Sequence, residues 1–152
     1  MRLGLKITLR DPDDPAGVIH AQFASVRACP ALRDRLAAIA RADVAEGLAL
    51  RRLAIASEAL AAADTMEAAD RAADGLAELR LQADAATLAL VEATRDFLAE
   101  GFAAAGADPD RAADLADCVP PEDVAQIRAR CLFGAGCLDF TRREGEVPGD
   151  PT

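Results

Sequence analysis

Residues 65–104 read TMEAADRAADGLAELRLQADAATLALVEATRDFLAEGFAA, and this stretch decides the fold class. Its apolar side chains recur in alternating steps of three and four residues, which is the spacing of a helix that packs against another helix. Asp64 and Glu67 match a capping box, with a side-chain acceptor at the N-cap and a carboxylate three residues later. Gly75 is the weak point, because glycine inside a helix costs about 1 kcal/mol relative to alanine. The stripe consists of Leu76, Leu79, Ala83, Ala86, Leu90, Ala93 and Phe97.

A second, less regular apolar stripe runs along the same predicted helix. An unbroken helix over 65–104 spans about 60 Å at 1.5 Å per residue. A helix of that length with two stripes needs more than one partner surface. We expect the first stripe to form an intramolecular core, with an association surface as the alternative. The second stripe is predicted to hold interaction residues, namely Leu81, Leu88, Val91, Leu98 and Phe102.

The segment before this helix is also predicted to be helical. Pro30 suits the first position of a short helix, whose apolar face holds Leu32, Leu36 and Ile39. A further helix is predicted over 42–63, and its apolar arc is wide enough to touch two neighbours. That arc consists of one stripe with Leu50, Leu53, Ser57 and Leu60, and a neighbouring one with Leu48, Ile55 and Ala59, while Arg51, Arg52 and Glu58 mark the wetter side.

Two short helices and a tail follow the long helix. Asp108 at the N-cap and Pro109 at the first position predict a helix that runs to about Asp117. Pro121 opens another helix, which Gly134 ends. Residues 142–152 are polar and rich in Pro and Gly, so we predict a flexible tail after a single domain over 1–141.

The N-terminus is predicted to be a β-strand. Residues 3–9, LGLKITL, alternate strictly between apolar and polar or small side chains. A lone strand cannot satisfy its own backbone, and 17–23 and 136–141 are weak candidates for a partner. If neither pairs with it, the partner strand lies on another molecule, by β-augmentation. The apolar face of this strand is therefore also predicted to be an interaction surface, and it holds Leu3, Leu5, Ile7 and Leu9.

These patterns together predict a mainly α fold. It is an Ala-rich helical bundle or a long helical hairpin, with one N-terminal strand and, if 136–141 is extended, a short C-terminal strand. Alanine supplies 38 of the 152 residues, and it is the strongest helix former.

Composition narrows the class of partner and the location. The net charge is −9 and Lys6 is the only lysine, so we expect neither nucleic acid nor a membrane surface as partner, because both require basic clusters. No segment approaches the roughly 18 apolar residues of a transmembrane helix, and the N-terminus lacks the pattern of a signal peptide. We expect a cytoplasmic chain, or one incorporated in an assembly such as a virion, with four free cysteines.

No residue pattern predicts catalysis, a cofactor or a metal site. His20 is the only histidine, and Glu-x-x-His is absent. Cys131 and Cys137 lack the spacing of a zinc site, with Cys118 and Cys29 farther away in the sequence. The glycines at 134–136 follow a helix instead of preceding one, so they are not a phosphate loop.

The sequence therefore predicts a non-enzymatic structural, assembly or interaction protein. It would act through helix packing and strand pairing, with itself as a homo-oligomer or with a protein partner. Small acidic, Ala-rich helical proteins of this kind occur among bacterial accessory subunits and tailed-phage virion or assembly components. The alternative is a small-ligand-binding or catalytic helical domain with a pocket between the two main helices.

Overall fold

A computed structural model of the chain describes residues 4–133 and 136–141. The protein is mainly helical, with 68% of the described residues in helices and a small mixed sheet. Leu3, Gly134 and the predicted tail over 142–152 lie outside the described residues. In chain order the elements are β1 (Gly4–Arg10), β2 (Val18–Ala24), α1 (Ala31–Ala61), α2 (Met66–Ala104), α3 (Pro109–Cys118), a 3₁₀ turn (Pro121–Asp123), α4 (Val124–Phe133) and β3 (Gly136–Asp139).

The elements fall into two compact units. Unit 1 contains the residues up to Asp34 and those from Arg95 onward, and unit 2 is Arg35–Thr94. Unit 1 therefore holds the sheet, the short helices and one end of each long helix. Unit 2 is a helical hairpin made of the remaining parts of α1 and α2, and we describe each unit by itself.

In unit 1, β1 is the central strand of a three-stranded sheet in the order β2-β1-β3. It pairs antiparallel with β2, where Leu5 lies opposite Phe23. It pairs parallel with β3, where Ile7 lies opposite Leu138. Both weak candidates are thus strands, and the backbone of β1 finds its partners within the chain.

The core of unit 1 forms where one face of the sheet meets the last turns of α2. The ring of Phe23 packs against Phe97, with ring centroids 5.3 Å apart, and edge-on against Phe102 at 5.1 Å. All three rings are fully buried. Gly101 lies beneath the Phe23 ring, where a Cβ atom would overlap it. The inward side chains Leu5, Ile7 and Leu9 of β1 are also fully buried.

Unit 2 packs α1 against α2 along the predicted stripe. On α2 the least exposed positions follow the heptad spacing, and Ala83 is the most buried of them at 2% exposure. On α1 the less exposed positions repeat in the same steps of three and four. We call these two rows the seam. Its positions on α1 are Ala42, Glu46, Ala49, Leu53, Ala56 and Leu60, and on α2 Ala69, Ala72, Leu76, Leu79, Ala83, Ala86, Leu90 and Ala93.

The long helices are more continuous than the sequence predicts. The short helix at Pro30 and the helix over 42–63 are one helix, α1, since good helix formers and no proline separate them. Gly75 does not interrupt α2, and no atom beyond its own helix lies near it. The packing of the seam offsets the loss of helix stability that this glycine causes.

The predicted starts of α2 and α3 are confirmed to within two residues, whereas Pro121 opens the 3₁₀ turn and α4 begins three residues later, at Val124. At α3, the Asp108 carboxylate accepts a hydrogen bond from the backbone N–H of Arg111 at 2.8 Å, as an N-cap does. At α2, the hydroxyl of Thr65 accepts from the backbone N–H of Ala68 at 3.1 Å. Thr65, one residue after Asp64, is therefore the capping residue of α2.

Replacement of two helical glycines is expected to have opposite effects on stability. Gly101→Ala places a methyl group in the volume of the Phe23 ring, and overpacking of this kind costs about 1–3 kcal/mol. Gly75→Ala meets nothing and removes a helix-interior glycine, so it should raise the free energy of unfolding by about 0.5–1 kcal/mol. Urea denaturation followed by circular dichroism measures both changes.

Gly47→Ala is the matched control, because Gly47 also lies inside a helix with open space around it. It should behave like Gly75→Ala. If Gly101→Ala proved as stable as these two variants, the packing of Phe23 against α2 would not be a constraint on the fold.

Candidate functional site

The structure separates the predicted interaction residues into two groups. Five of them are buried in unit 1, and three are exposed on unit 2. Leu3 lies outside the described residues. The buried group is Leu5, Ile7, Leu9, Leu98 and Phe102, and the exposed group is Leu81, Leu88 and Val91.

The exposed group lies on the side of α2 that points away from the seam. Leu81 follows the seam residue Leu79 by two positions, and Leu88 precedes Leu90 by two. Two positions correspond to about 200° around a helix. Both side chains therefore lie opposite the seam, where they are 66% and 57% exposed. Val91, also 57% exposed, extends this row toward the end of unit 2.

Helix α1 has a corresponding row of exposed aliphatic side chains. Val44 and Leu48 lie two positions before and after the seam residue Glu46, and Ile55 lies two positions after Leu53. Their exposed fractions are 71%, 44% and 61%. Leu48 and Ile55 belong to the second of the two stripes predicted for this helix but are not among the predicted interaction residues, and Val44 belongs to neither stripe.

The two rows are flanked by opposite charges. Between 35 and 61, α1 carries four arginines and three carboxylates, whereas α2 carries six carboxylates and two arginines between 66 and 94. We define the α1 outer face as Val44, Leu48 and Ile55 with the exposed Arg41, Arg51 and Arg52. We define the α2 outer face as Leu81, Leu88 and Val91 with the exposed Asp74, Asp84 and Glu92.

These charged groups are unpaired within the part of the chain that the structure describes. An exposed salt bridge of the hairpin joins Arg71 to Glu67 at 3.3 Å, and these two residues lie one turn apart on the same helix. No hydrogen bond or salt bridge among the described residues uses Arg51, Asp74 or Asp84. Their charges remain available to a molecule that contacts either outer face.

Unit 1 contains an open cleft between the β1–β2 turn and α3. Its volume is about 480 Å³, within the roughly 300–1,000 Å³ range of ligand sites. Arg111 and Cys118 line it together with several carboxylates, and it does not lie between the two main helices. The carboxylates are Asp11, Asp13, Asp114 and Asp117.

The side chains of this cleft do not form a catalytic arrangement. Asp117 forms a salt bridge with Arg95 at 2.8 Å, with both side chains 57% exposed, so the pair is largely screened by solvent. Burial raises the pKa of the Cys118 thiol, partly offset by Arg111, and the nearby Asp117 raises that pKa further. A raised pKa disfavours the thiolate, which is the nucleophilic form.

His20 and the other cysteines are dispersed over unit 1. His20 lies on the outer face of the sheet, with Nδ1 3.4 Å from the Thr8 hydroxyl on the neighbouring strand. Cys131 is buried and Cys137 exposed, each as a free thiol. Among residues 4–133 and 136–141, no group of three or more His, Cys, Asp or Glu side chains is placed to hold a metal ion. In the same part of the chain, no helix combines the length and apolar character needed to cross a bilayer.

The free thiols are expected to differ widely in reactivity. Burial raises the pKa of Cys131 to about 11, which leaves roughly a hundredfold less thiolate at neutral pH than a thiol of pKa 9.0. Cys137 is exposed and should react first with iodoacetamide in the native protein, while Cys131 should react only on unfolding. Mass spectrometry of timed samples identifies the labelled residues.

Cys137→Ser is the control for this experiment, because it should remove the fastest phase and leave the others. Equal native labelling rates at Cys131 and Cys137 would contradict the buried position of Cys131.

Comparisons of the chain with protein-family models, with curated proteins and with solved structures found no match.

Proposed function

We propose that this chain is a non-enzymatic interaction or assembly protein, and that its helical hairpin binds protein through the α1 and α2 outer faces. One observation carries the proposal. Each long helix has a second row of large aliphatic side chains on the side opposite the seam, and these rows are exposed. The residues of the seam lie on only one side of each helix.

The energetics favour a row of residues over any single one. Single exposed hydrophobic residues are normal on protein surfaces. Full burial of one aliphatic side chain contributes about 1.5–3 kcal/mol, whereas association costs at least about 4 kcal/mol in lost freedom. Three such side chains in one row, which are 57–66% exposed on α2, together give a gain of the same order as the lower end of that cost, and the apolar side chains that they meet on the bound protein add to it.

Strand pairing has a smaller part in this proposal than helix packing. Both neighbours of β1 are strands of the same chain, and its apolar side chains are buried in unit 1. Leu98 and Phe102 are buried there as well. In this proposal these residues stabilise unit 1, and binding falls to Leu81, Leu88 and Val91 with the corresponding row on α1.

The alternative of a ligand-binding or catalytic pocket has less support. The described cleft lies in unit 1, at Asp11, Ile19 and α3, and not between the main helices. Its carboxylates surround one arginine and a thiol whose raised pKa keeps it protonated. A protonated thiol is a poor nucleophile.

Site-specific photocrosslinking in cells that produce the chain tests the proposal. Benzoylphenylalanine replaces Leu88 on the α2 outer face or Ile55 on the α1 outer face, in separate variants. Because a bound protein covers these positions, each variant should give a covalent adduct on illumination. Mass spectrometry of the adduct identifies the partner.

Leu50 is the matched control, because it is 47% exposed but lies on neither outer face. It should give markedly less adduct than Leu88 and Ile55. If neither Leu88 nor Ile55 exceeds the Leu50 background, the outer faces bind no protein and the proposed function is wrong.

A further inference from the structure

We propose that the protein bound at these faces is a second copy of the same chain, with the α1 outer face of one copy packed on the α2 outer face of the next. This inference rests on the proposed function and names its partner. It concerns unit 2 alone.

Both outer faces have the spacing of a helix-packing seam. Exposed positions on each repeat in alternating steps of three and four residues, as the positions of the seam do. Either face can therefore supply half of an interface between long helices. The rows are Arg41, Val44, Leu48, Arg51 and Ile55 on α1, and Asp74, Ala77, Leu81, Asp84, Leu88 and Val91 on α2.

The charges of the two rows favour the packing of an α1 outer face on an α2 outer face. The row on α1 contains Arg41 and Arg51, and the row on α2 contains Asp74 and Asp84. Two α1 outer faces would bring arginines together, and two α2 outer faces would bring carboxylates together. Such like-charge contacts disfavour a pairing. An α1 face on an α2 face places opposite charges beside the apolar contacts.

The chain itself supplies both halves of this interface. In the seam α1 and α2 pack side by side in one hairpin, and the outer rows repeat the spacing of the seam on the other side of each helix. A contact between copies repeats the same pair of helices on their other sides. A different partner would need both an apolar row and the opposite charge, which the second copy already has.

The interface is heterologous, because each outer face lies opposite the seam, so that the two faces of one hairpin point away from each other and a single neighbouring copy cannot cover both. Each copy then has one face of each kind to offer. Contacts of this type produce closed rings or open chains of subunits, whereas an isologous contact stops at a dimer. The geometry thus points to an assembly of more than two copies.

Two sets of substitutions test this arrangement. The first, Val44→Gln, Leu48→Gln and Ile55→Gln, disables the α1 outer face, and the second, Leu81→Gln, Leu88→Gln and Val91→Gln, disables the α2 outer face. Glutamine is a good helix former, so both variants should keep the circular dichroism spectrum and the Tm of the parent. Sedimentation equilibrium or light scattering after gel filtration, from micromolar to submillimolar concentration, gives the native mass.

The parent chain should exceed the mass of two chains as its concentration rises. Each variant alone should remain monomeric, because every copy lacks the same half of the interface. An equimolar mixture should form a heterodimer and stop there, since one intact α1 face meets one intact α2 face. Leu50→Gln, the matched control, should associate like the parent.

Charge reversal provides a second, independent measurement. Arg41→Glu, Arg51→Glu and Arg52→Glu together should weaken association of the parent by about tenfold. Addition of Asp74→Arg and Asp84→Arg in the same chain should restore most of it, because opposite charges again face each other.

Several outcomes would overturn self-association. These are a parent chain that stays monomeric throughout, a mixture of the two variants that stays monomeric, and a single variant that still associates. A crosslinked adduct between Leu88 or Ile55 and a different protein, together with a monomeric parent, would retain the proposed function and reject the second copy as partner. Absence of adducts above the Leu50 background would reject both.

Discussion

The contact of Phe23 with Gly101 is the constraint on which the architecture of unit 1 depends. A strand residue and a helix residue meet there so closely that no side chain fits on the helix. Phe97 and Phe102 lie on either side of Gly101 in α2 and enclose the same ring. Because Leu5 lies opposite Phe23 in the sheet, this one contact also sets how β1 faces the core. The next residues continue the connection, since the backbone N–H of Val26 donates to the carbonyl of Cys131 in α4 at 2.9 Å.

Unit 2 is held together by different means. All five phenylalanines of the chain lie outside residues 35–94, so the seam contains no aromatic ring and is built from leucine and alanine, with Glu46 on α1. Most seam positions on both helices are only half-buried, whereas Ala83 is buried. Hydrophobic stabilisation scales with the apolar area removed from water, and a two-helix layer buries little of it. A hairpin of this kind gains from further packing on its outer faces, which is the physical basis of our proposals for its function.

Much of the fold follows from local sequence patterns that have a known physical cause. The alternation in 3–9 predicted β1, the weak segments at 17–23 and 136–141 are its two partners, and Asp108 with Pro109 marked the start of α3. The continuity of α1 was not predicted, because the segment around Ala40 contains no strong signal either way and packing decides it. The capping residue of α2 is Thr65 and not the predicted Asp64, because adjacent polar residues compete for the N-cap position and their sequence alone does not decide between them. For the candidate site, periodicity predicted Leu81, Leu88 and Val91, while Val44 was not recognised beside the stronger stripe of α1.

Local spacing is a property of the chain, and it determined that each long helix would carry two apolar stripes. Which stripe becomes the seam, and which part of the other remains exposed, was decided only by tertiary structure. Leu81, Leu88, Leu98 and Phe102 belong to one stripe by their spacing, yet the first two are exposed and the last two are buried. The difference arises because Phe23 and the sheet pack on the end of α2 that lies in unit 1. A contact between residues so far apart in sequence has no effect on the helical periodicity of either segment, so the periodicity does not predict it. The same physical reason separates Leu5, Ile7 and Leu9 from a surface role, since β1 is enclosed by a strand, β3, that comes from a distant part of the chain.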